Sequence, residues 1–181
     1  MPPVAGEGAT QHLKPNGPHD GTVVGVNAPD VIAALQDEFA GLTPKSTWGE
    51  TSLFYNPGGT LPSGVYFCTV KEHDGTNDRA SHLDRPGVFR VALGLPRDRY
   101  EELFGPRPPR PPKGGVVMTG HDFTATNVVM PHPVYAWMGW VQVLSPSGDT
   151  FTSMHPLFVA AYDAVLAKFE ARRAKRSRSR G

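Results

Sequence analysis

A single cysteine stands in this chain of 181 residues, which excludes an internal disulfide and a cysteine-based zinc site. That residue, Cys68, lies in the strand-like run VYFCTV, where a thiol serves as a small buried hydrophobe rather than as a nucleophile. HExxH and His-x-His patterns, a Gly-x-Ser-x-Gly elbow and a glycine-rich phosphate loop are all missing, so no zinc-protease, serine-hydrolase or nucleotide-binding signature is present. No apolar stretch approaches the ~20 residues that span a bilayer, and the N-terminus lacks a basic start followed by an apolar run. A cytoplasmic protein without membrane contact is expected.

Positive charge is scarce in the body of the chain. Six of the 18 basic residues fall in ARRAKRSRSRG, residues 171–181, which leaves 12 basic against 17 acidic residues elsewhere, a net charge of −5. A folded surface that binds nucleic acid carries a basic face, so nucleic acid is not an expected partner except through that tail. The tail reads more simply as a solvated helix end than as a nucleic-acid contact.

Glycine and proline are plentiful, at 20 and 19, but they crowd residues 1–30 and the run Gly105 to Gly115. Residues 1–26 show neither helical nor strand period and are expected to form a flexible arm. From Asn27 a helix is predicted, with Asn27 as cap, Pro29 in the first turn, Val31, Leu35 and Phe39 on one face, and Gly41 as stop. Ser46 to Asn56 reads as a strand ending in NPGG, and Gly64 to Lys71 as its hairpin partner. Glu72 to Arg79 is a polar loop.

The run Leu83 to Leu95 (LDRPGVFRVALGL) predicts a third strand. Its alternation sends Phe89, Val91, Leu93 and Leu95 into the core and leaves Arg90, Ala92 and Gly94 as a small-residue floor bearing one guanidinium. A short helix over PRDRYEELF follows, then PRPPRPPKGG, which five prolines exclude from helix and central strand. This polyproline loop is either an exposed insertion or a Pro-x-x-Pro ligand. Asp122 is placed as the cap of a small helix through Val129, MGWVQVLS as a final strand, and about Thr150 to Arg176 as a helical region interrupted near Pro156. One α+β domain over residues 27–170 results, a mainly antiparallel sheet with helices on one face, followed by the basic tail 171–181.

The residues able to carry chemistry gather in three places. In MPHPVYAWMGWVQVL, prolines on both sides of His132 force an extended, stiff backbone, and a turn starting at Pro133 puts His132 at its cap, where the imidazolium form is disfavoured. A neutral imidazole suits a general base or a carbonyl-polarising donor. A histidine that only fixes a packing corner has the same surroundings. Asp84, Arg85 and Arg90 form the second group, either a turn-bridging set or a pocket in which Arg90 holds a planar anion. His121 and Asp122 form the third, without the clustered acids or spacing of a metal site. Trp48, Tyr55, Tyr66, Trp137 and Trp140 supply aromatic surface, and Trp140 shares a face with Gln142, as in a pocket wall.

The blocks WGETSLFY, LDRPGVFR and MPHPVYAWMGWVQVLSPS resemble an actinobacterial family of domains of unknown function, over about Asn27 to Glu170. More distantly, the order of elements is similar to the MmcQ/YjbR-like double-wing fold. The resemblance implies that Trp48, Asp84, Arg85, Pro86, Gly87, Arg90, Pro131, His132, Pro133 and Tyr135 belong to recurring motifs. This sequence departs from it at Ala92, where relatives carry asparagine, and in the proline-rich insertion after Gly105. Fold analogy assigns no function.

Three functions are consistent with these residues. The first is a cofactor-independent acid–base enzyme of isomerase, cyclase or lyase type acting on a small aromatic or anionic metabolite, such as one of secondary metabolism. In it His132 moves the proton, Asp84 orients it, and Arg90, Arg85, Trp48, Tyr135, Trp137 and Trp140 bind substrate, with no cofactor or metal. The second is a non-catalytic carrier of a small ligand using the same pocket. The third is a nucleic-acid or partner-binding module driven by the tail.

Overall fold

Asn27 opens the first helix by accepting the N–H of Asp30 at 2.9 Å, with Pro29 in the first turn. This helix, α1 (Ala28–Glu38), buries Ala28, Val31 and Leu35, as its spacing predicts. In the computed structural model, which describes residues 25–179, the chain then forms β1 (Leu42–Thr47), β2 (Glu50–Tyr55) and β3 (Val65–Lys71). The strand expected over Ser46 to Asn56 is therefore two strands. Trp48 and Gly49, with φ of 54° and 72°, make the two-residue turn between β1 and β2, and Trp48 stands 93% exposed at its tip.

Beyond a long loop come β4 (Arg90–Gly94), α2 (Arg97–Phe104), β5 (Met130–Pro131), β6 (Trp140–Leu144), α3 (Gly148–Ser153) and α4 (His155–Arg178). The sheet has six strands in the order β1-β2-β3-β4-β6-β5, antiparallel throughout. It is a single open-sheeted α+β domain. Val31, Leu35 and Phe39 at α1, with Phe158, Val165 and Phe169 of α4, share one core with Leu53, Phe67, Val91, Leu93, Val141 and Val143 of the sheet.

An irregularity in β3 decides which side chains face away from that core. Leu53 pairs with Cys68 but Phe54 pairs with Tyr66, so Phe67 is an extra residue, a β-bulge. Phe67 and Cys68 both enter the core. Strict alternation would have put Tyr66 on the Cys68 and Val70 face; the bulge moves it to the opposite face, beside Thr69 and Lys71.

Other expectations are corrected. Of the strand predicted from Leu83, only Arg90–Gly94 pairs, because the preceding residues spend their hydrogen bonds in turns, among them Val88 N–H to the Arg85 carbonyl at 3.2 Å. Asp122 caps no helix: its Oδ1 accepts from Thr124 N–H and Oγ1, a local turn that replaces the helical one. Pro156 does mark a fresh start, since α3 ends at Ser153 and α4 begins at His155. The boundary at residue 171 disappears, as α4 continues through the first part of the basic tail to Arg178. Residues 1–24 of the expected arm, and residues 180 and 181, lie outside the described residues. Gly25 bridges to Ser147.

The proline-rich segment is neither helix nor strand. It is tied down by Arg107 Nη2, which donates to the Leu95 carbonyl at 3.2 Å, and by the Arg110 guanidinium, 4.8 Å from the Trp137 ring centroid.

Phe67 meets Phe39, Phe158 and Tyr162 with ring centroids 5.4, 6.4 and 6.0 Å apart. Phe67→Ala is expected to lower unfolding stability by about 3–5 kcal/mol, measured by urea denaturation. A loss below about 1 kcal/mol would show that the bulge residue is not anchored in the core.

Candidate functional site

The face turned away from the core carries polar and aromatic side chains where a solvent-facing sheet would carry scattered charge. Glu50 of β2, Tyr66, Thr69 and Lys71 of β3, Arg90 and Gly94 of β4 and Trp140 of β6 line a cavity of about 630 Å³, within the usual range for small-molecule sites. Loop residues Gly75 to Asp78 form another wall, and His132, Tyr135 and Met138 a third. β3 and β4 pair only through Cys68–Lys71 and Arg90–Leu93. Beyond that ladder Val165, Lys168 and Arg172 of α4 reach the same cavity.

Its charged centre is Asp78. Gly75 and Asp78 exchange backbone hydrogen bonds at 3.0 and 3.2 Å, a two-residue turn that swings the carboxylate over the sheet. A Cβ at Gly75 would lie 2.9 Å from Lys71 Nζ, so a side chain there would displace the end of the lysine. Arg90 grips Asp78 with both terminal nitrogens, Nη1 to Oδ1 at 2.9 Å and Nη2 to Oδ2, a bidentate pair. Lys71 Nζ lies 3.1 Å from Asp78 Oδ2 and 3.5 Å from Glu50 Oε2. Burial alone would raise the Asp78 carboxyl, but the Arg90 hydrogen bonds and the Arg90 and Lys71 charges outweigh it and hold it well below the usual carboxylate range. Arg90 itself is 2% exposed, and its Nε–H has no acceptor among the described residues.

His132 is buried at 2% exposure. Its Nδ1 accepts the backbone N–H groups of Val134 and Tyr135 at 3.1 and 3.2 Å, and Ala136 N–H returns to its carbonyl at 3.1 Å. The imidazole is thus the cap of the turn that leads into Ala136–Met138. Two amide donors on Nδ1 leave no room for a proton there, so the neutral ring carries its hydrogen on Nε2. Desolvation, and then the Arg90 charge, push its pKa well below the ordinary histidine value. His132 is a fixed hydrogen-bond donor. It does not fit the expected general base, whose Nε2 lone pair would require the proton on Nδ1.

The aromatic wall is continuous. Tyr66 packs edge-on against Trp140 at 5.4 Å between centroids, Trp140 lies 6.5 Å from Tyr135, and Tyr135 4.9 Å from His132. Trp140 lies against Gly94, where a Cβ would sit 3.1 Å from the indole nitrogen. The Tyr66 hydroxyl is 2.7 Å from Ser52 Oγ and donates to Glu50 Oε1 at 3.1 Å. Burial, reinforced by the Glu50 carboxylate and opposed by Ser52, raises its pKa.

His132, Arg90, Tyr135 and Trp140 thus line one cavity. The others lie outside it. Asp84 is 67% exposed on its side chain, accepts Asp74 N–H at 3.2 Å and faces His73, and it borders a separate cavity of about 370 Å³. Arg85 donates to the carbonyls of His82, Ser81 and Thr124, which makes it a tie between loops. Trp48 is at the hairpin tip and Trp137 lies under Arg110, both away from the cavity. Gln142 is no wall either: it receives Ser81 Oγ at 3.0 Å and donates to the Phe123 carbonyl at 3.3 Å. Glu50, Lys71 and Asp78 were missed. Period-2 alternation through WGETSLFY and CTVK could have exposed the first two, whereas Asp78 sits in a loop without period.

Fold and site define a class, a single antiparallel α+β domain with a charged, aromatic-walled cavity on the side of its sheet opposite the core. The model of a family of unknown function, DUF6194, matches residues 26–174, and the chain belongs to that family. No curated protein matches the chain. No solved structure matches it.

Two pH windows follow from these groups. Because the His132 pKa is lower folded than unfolded, the unfolded chain takes up the extra proton, and stability falls as pH drops below about 6.5 by at most about 1.4 kcal/mol per pH unit. The Asp78 contribution is complete above the unfolded carboxylate value and is lost only as pH falls below about 4. Denaturant melts from pH 7 to 5 should show a slope that His132→Asn flattens; an unchanged slope would contradict a buried neutral histidine. Asp78→Ala should cost about 3–5 kcal/mol at pH 7 in urea denaturation, because it leaves the buried Arg90 without a counter-charge and Lys71 with Glu50 alone.

Proposed function

We propose that the protein is an acid–base enzyme that uses its own side chains on a small organic molecule bearing a carbonyl or carboxyl oxygen. One observation carries this reading, the pair of backbone N–H bonds to His132 Nδ1, which presents Nε2–H as a rigid donor. Such a donor stabilises negative charge developing on a substrate oxygen without giving up its proton. The proton acceptor in this reading is Glu50, whose side chain is 29% exposed and is held between the Tyr66 hydroxyl and Lys71. Asp78 is unsuited to that task because Arg90 and Lys71 occupy both of its oxygens. Tyr66 and Trp140 offer edge and face contacts to an aromatic substrate. Isomerisation, cyclisation or elimination by proton transfer, in secondary metabolism, needs no more than these groups. To the same proposal belong an actinobacterial source, which rests on the three sequence blocks, a double-wing likeness, which rests on the order of elements, and a cytoplasmic location, which rests on the sequence pattern of the N-terminus.

A carrier of the same molecule is the second reading. It is favoured by the pairing of both acids that line the cavity: Asp78 is held by Arg90 and Lys71, and Glu50 by Tyr66, Ser52 and Lys71.

Mass spectrometry of a host metabolite extract incubated with wild type, His132→Ala and Glu50→Gln decides between them. The enzyme reading expects one compound to be consumed by wild type and to disappear about 10²- to 10⁴-fold more slowly with Glu50→Gln. Consumption at the wild-type rate by both variants would overturn it. A compound released unchanged from all three proteins would establish the carrier.

A further inference from the structure

The two ends of the cavity differ in charge. At one end Glu50 and Asp78 face Lys71 and Arg90, and each lies within 4 Å of an opposite charge. The cluster is neutral, so Arg90 is not free to hold an anion. At the other end Lys168 and Arg172 line the cavity with no carboxylate within 4 Å among the described residues. Their spacing of four puts them on one face of α4, while Val165 and Phe169 of the same turns are buried. Arg172 Nη1 donates to the Gly64 carbonyl at 2.9 Å, which fixes the guanidinium at the cavity, with no further hydrogen bond from it among the described residues. The nearest acid along the helix, Glu170, is taken by Arg173.

We propose that Lys168 and Arg172 form an anion subsite, so that the ligand is an aromatic compound with one carboxylate, sulfonate or phosphate group. The anion lies between these two cations, the ring lies against Tyr66 and Trp140, and the far end of the molecule meets His132. This names the substrate class of the site and rests on the small-molecule reading given above. It also accounts for part of the basic C-terminal run: Arg172 serves the cavity, Arg173 pairs with Glu170, and Arg176 donates to the Thr60 carbonyl at 3.1 Å, so these three do not form a free nucleic-acid arm.

The test is fluorescence titration of the full chain with two probes that share a ring system, 8-anilinonaphthalene-1-sulfonate and its uncharged analogue N-phenyl-1-naphthylamine. The sulfonate should bind at least about tenfold more tightly than the neutral probe. Lys168→Gln, which removes no hydrogen bond of the fold described here, should weaken the sulfonate about five- to tenfold. The double variant with Arg172→Gln should weaken it further, with the neutral probe unchanged, and Trp140→Ala should weaken both. Equal affinity for the two probes, or a loss in the lysine variant that affects both alike, overturns the anion subsite; if that binding still depends on Trp140, the small-molecule reading stands. If neither probe binds, the ring-plus-anion class is overturned. If, in addition, no extract compound is consumed or retained, the small-molecule reading falls as well.

Discussion

Asp78 holds the site together. Its carboxylate joins a lysine of β3, an arginine of β4 and the turn of an otherwise irregular loop. Three buried ions cost a great deal of hydration, and their mutual attraction repays it only when geometry is good and hydrogen bonds are met. Both conditions are largely satisfied here: the Arg90 fork is bidentate and Lys71 has a second partner in Glu50. The exception is Arg90 Nε. A cluster of this kind is a costly way to stabilise a sheet, since apolar side chains of similar volume would serve as well. What it supplies is a fixed guanidinium beside His132: burial first, and then the Arg90 charge against the opposing pull of Asp78, keep the imidazole neutral.

Rigid presentation of His132 was readable from two flanking prolines, and its neutrality from the turn behind it. The side of the ring that meets the cavity was not readable, because that depends on which nitrogen receives the amides of Val134 and Tyr135. The general-base role fell at that point. Alternation in Arg90 to Leu95 separated core from floor correctly, since a buried strand leaves its faces little freedom.

Irregular backbone accounts for what went unseen. Tyr66 reaches the cavity through one extra residue opposite β2, and no composition marks a bulge within VYFCTV. Asp78 lies in a polar run without period, and its place is set by Lys71 and Arg90 on the two strands that flank that run. Asp84 and Arg85 had the better motif and took surface and tie-down roles, since a carboxylate and a guanidinium side by side satisfy loop backbone as readily as they bind a ligand.

The long helix α4 belongs to both the core and the cavity. Within two turns Phe169 packs inward, Val165 borders both core and cavity, and Lys168 and Arg172 line the cavity, while the helix is moored by the Arg172 and Arg176 bonds to Gly64 and Thr60. Helix ends fray first. An occupant held by Lys168 and Arg172 therefore acts as a splint on the last two turns, so that filling the cavity and ordering the C-terminal end of the chain become a single thermodynamic event.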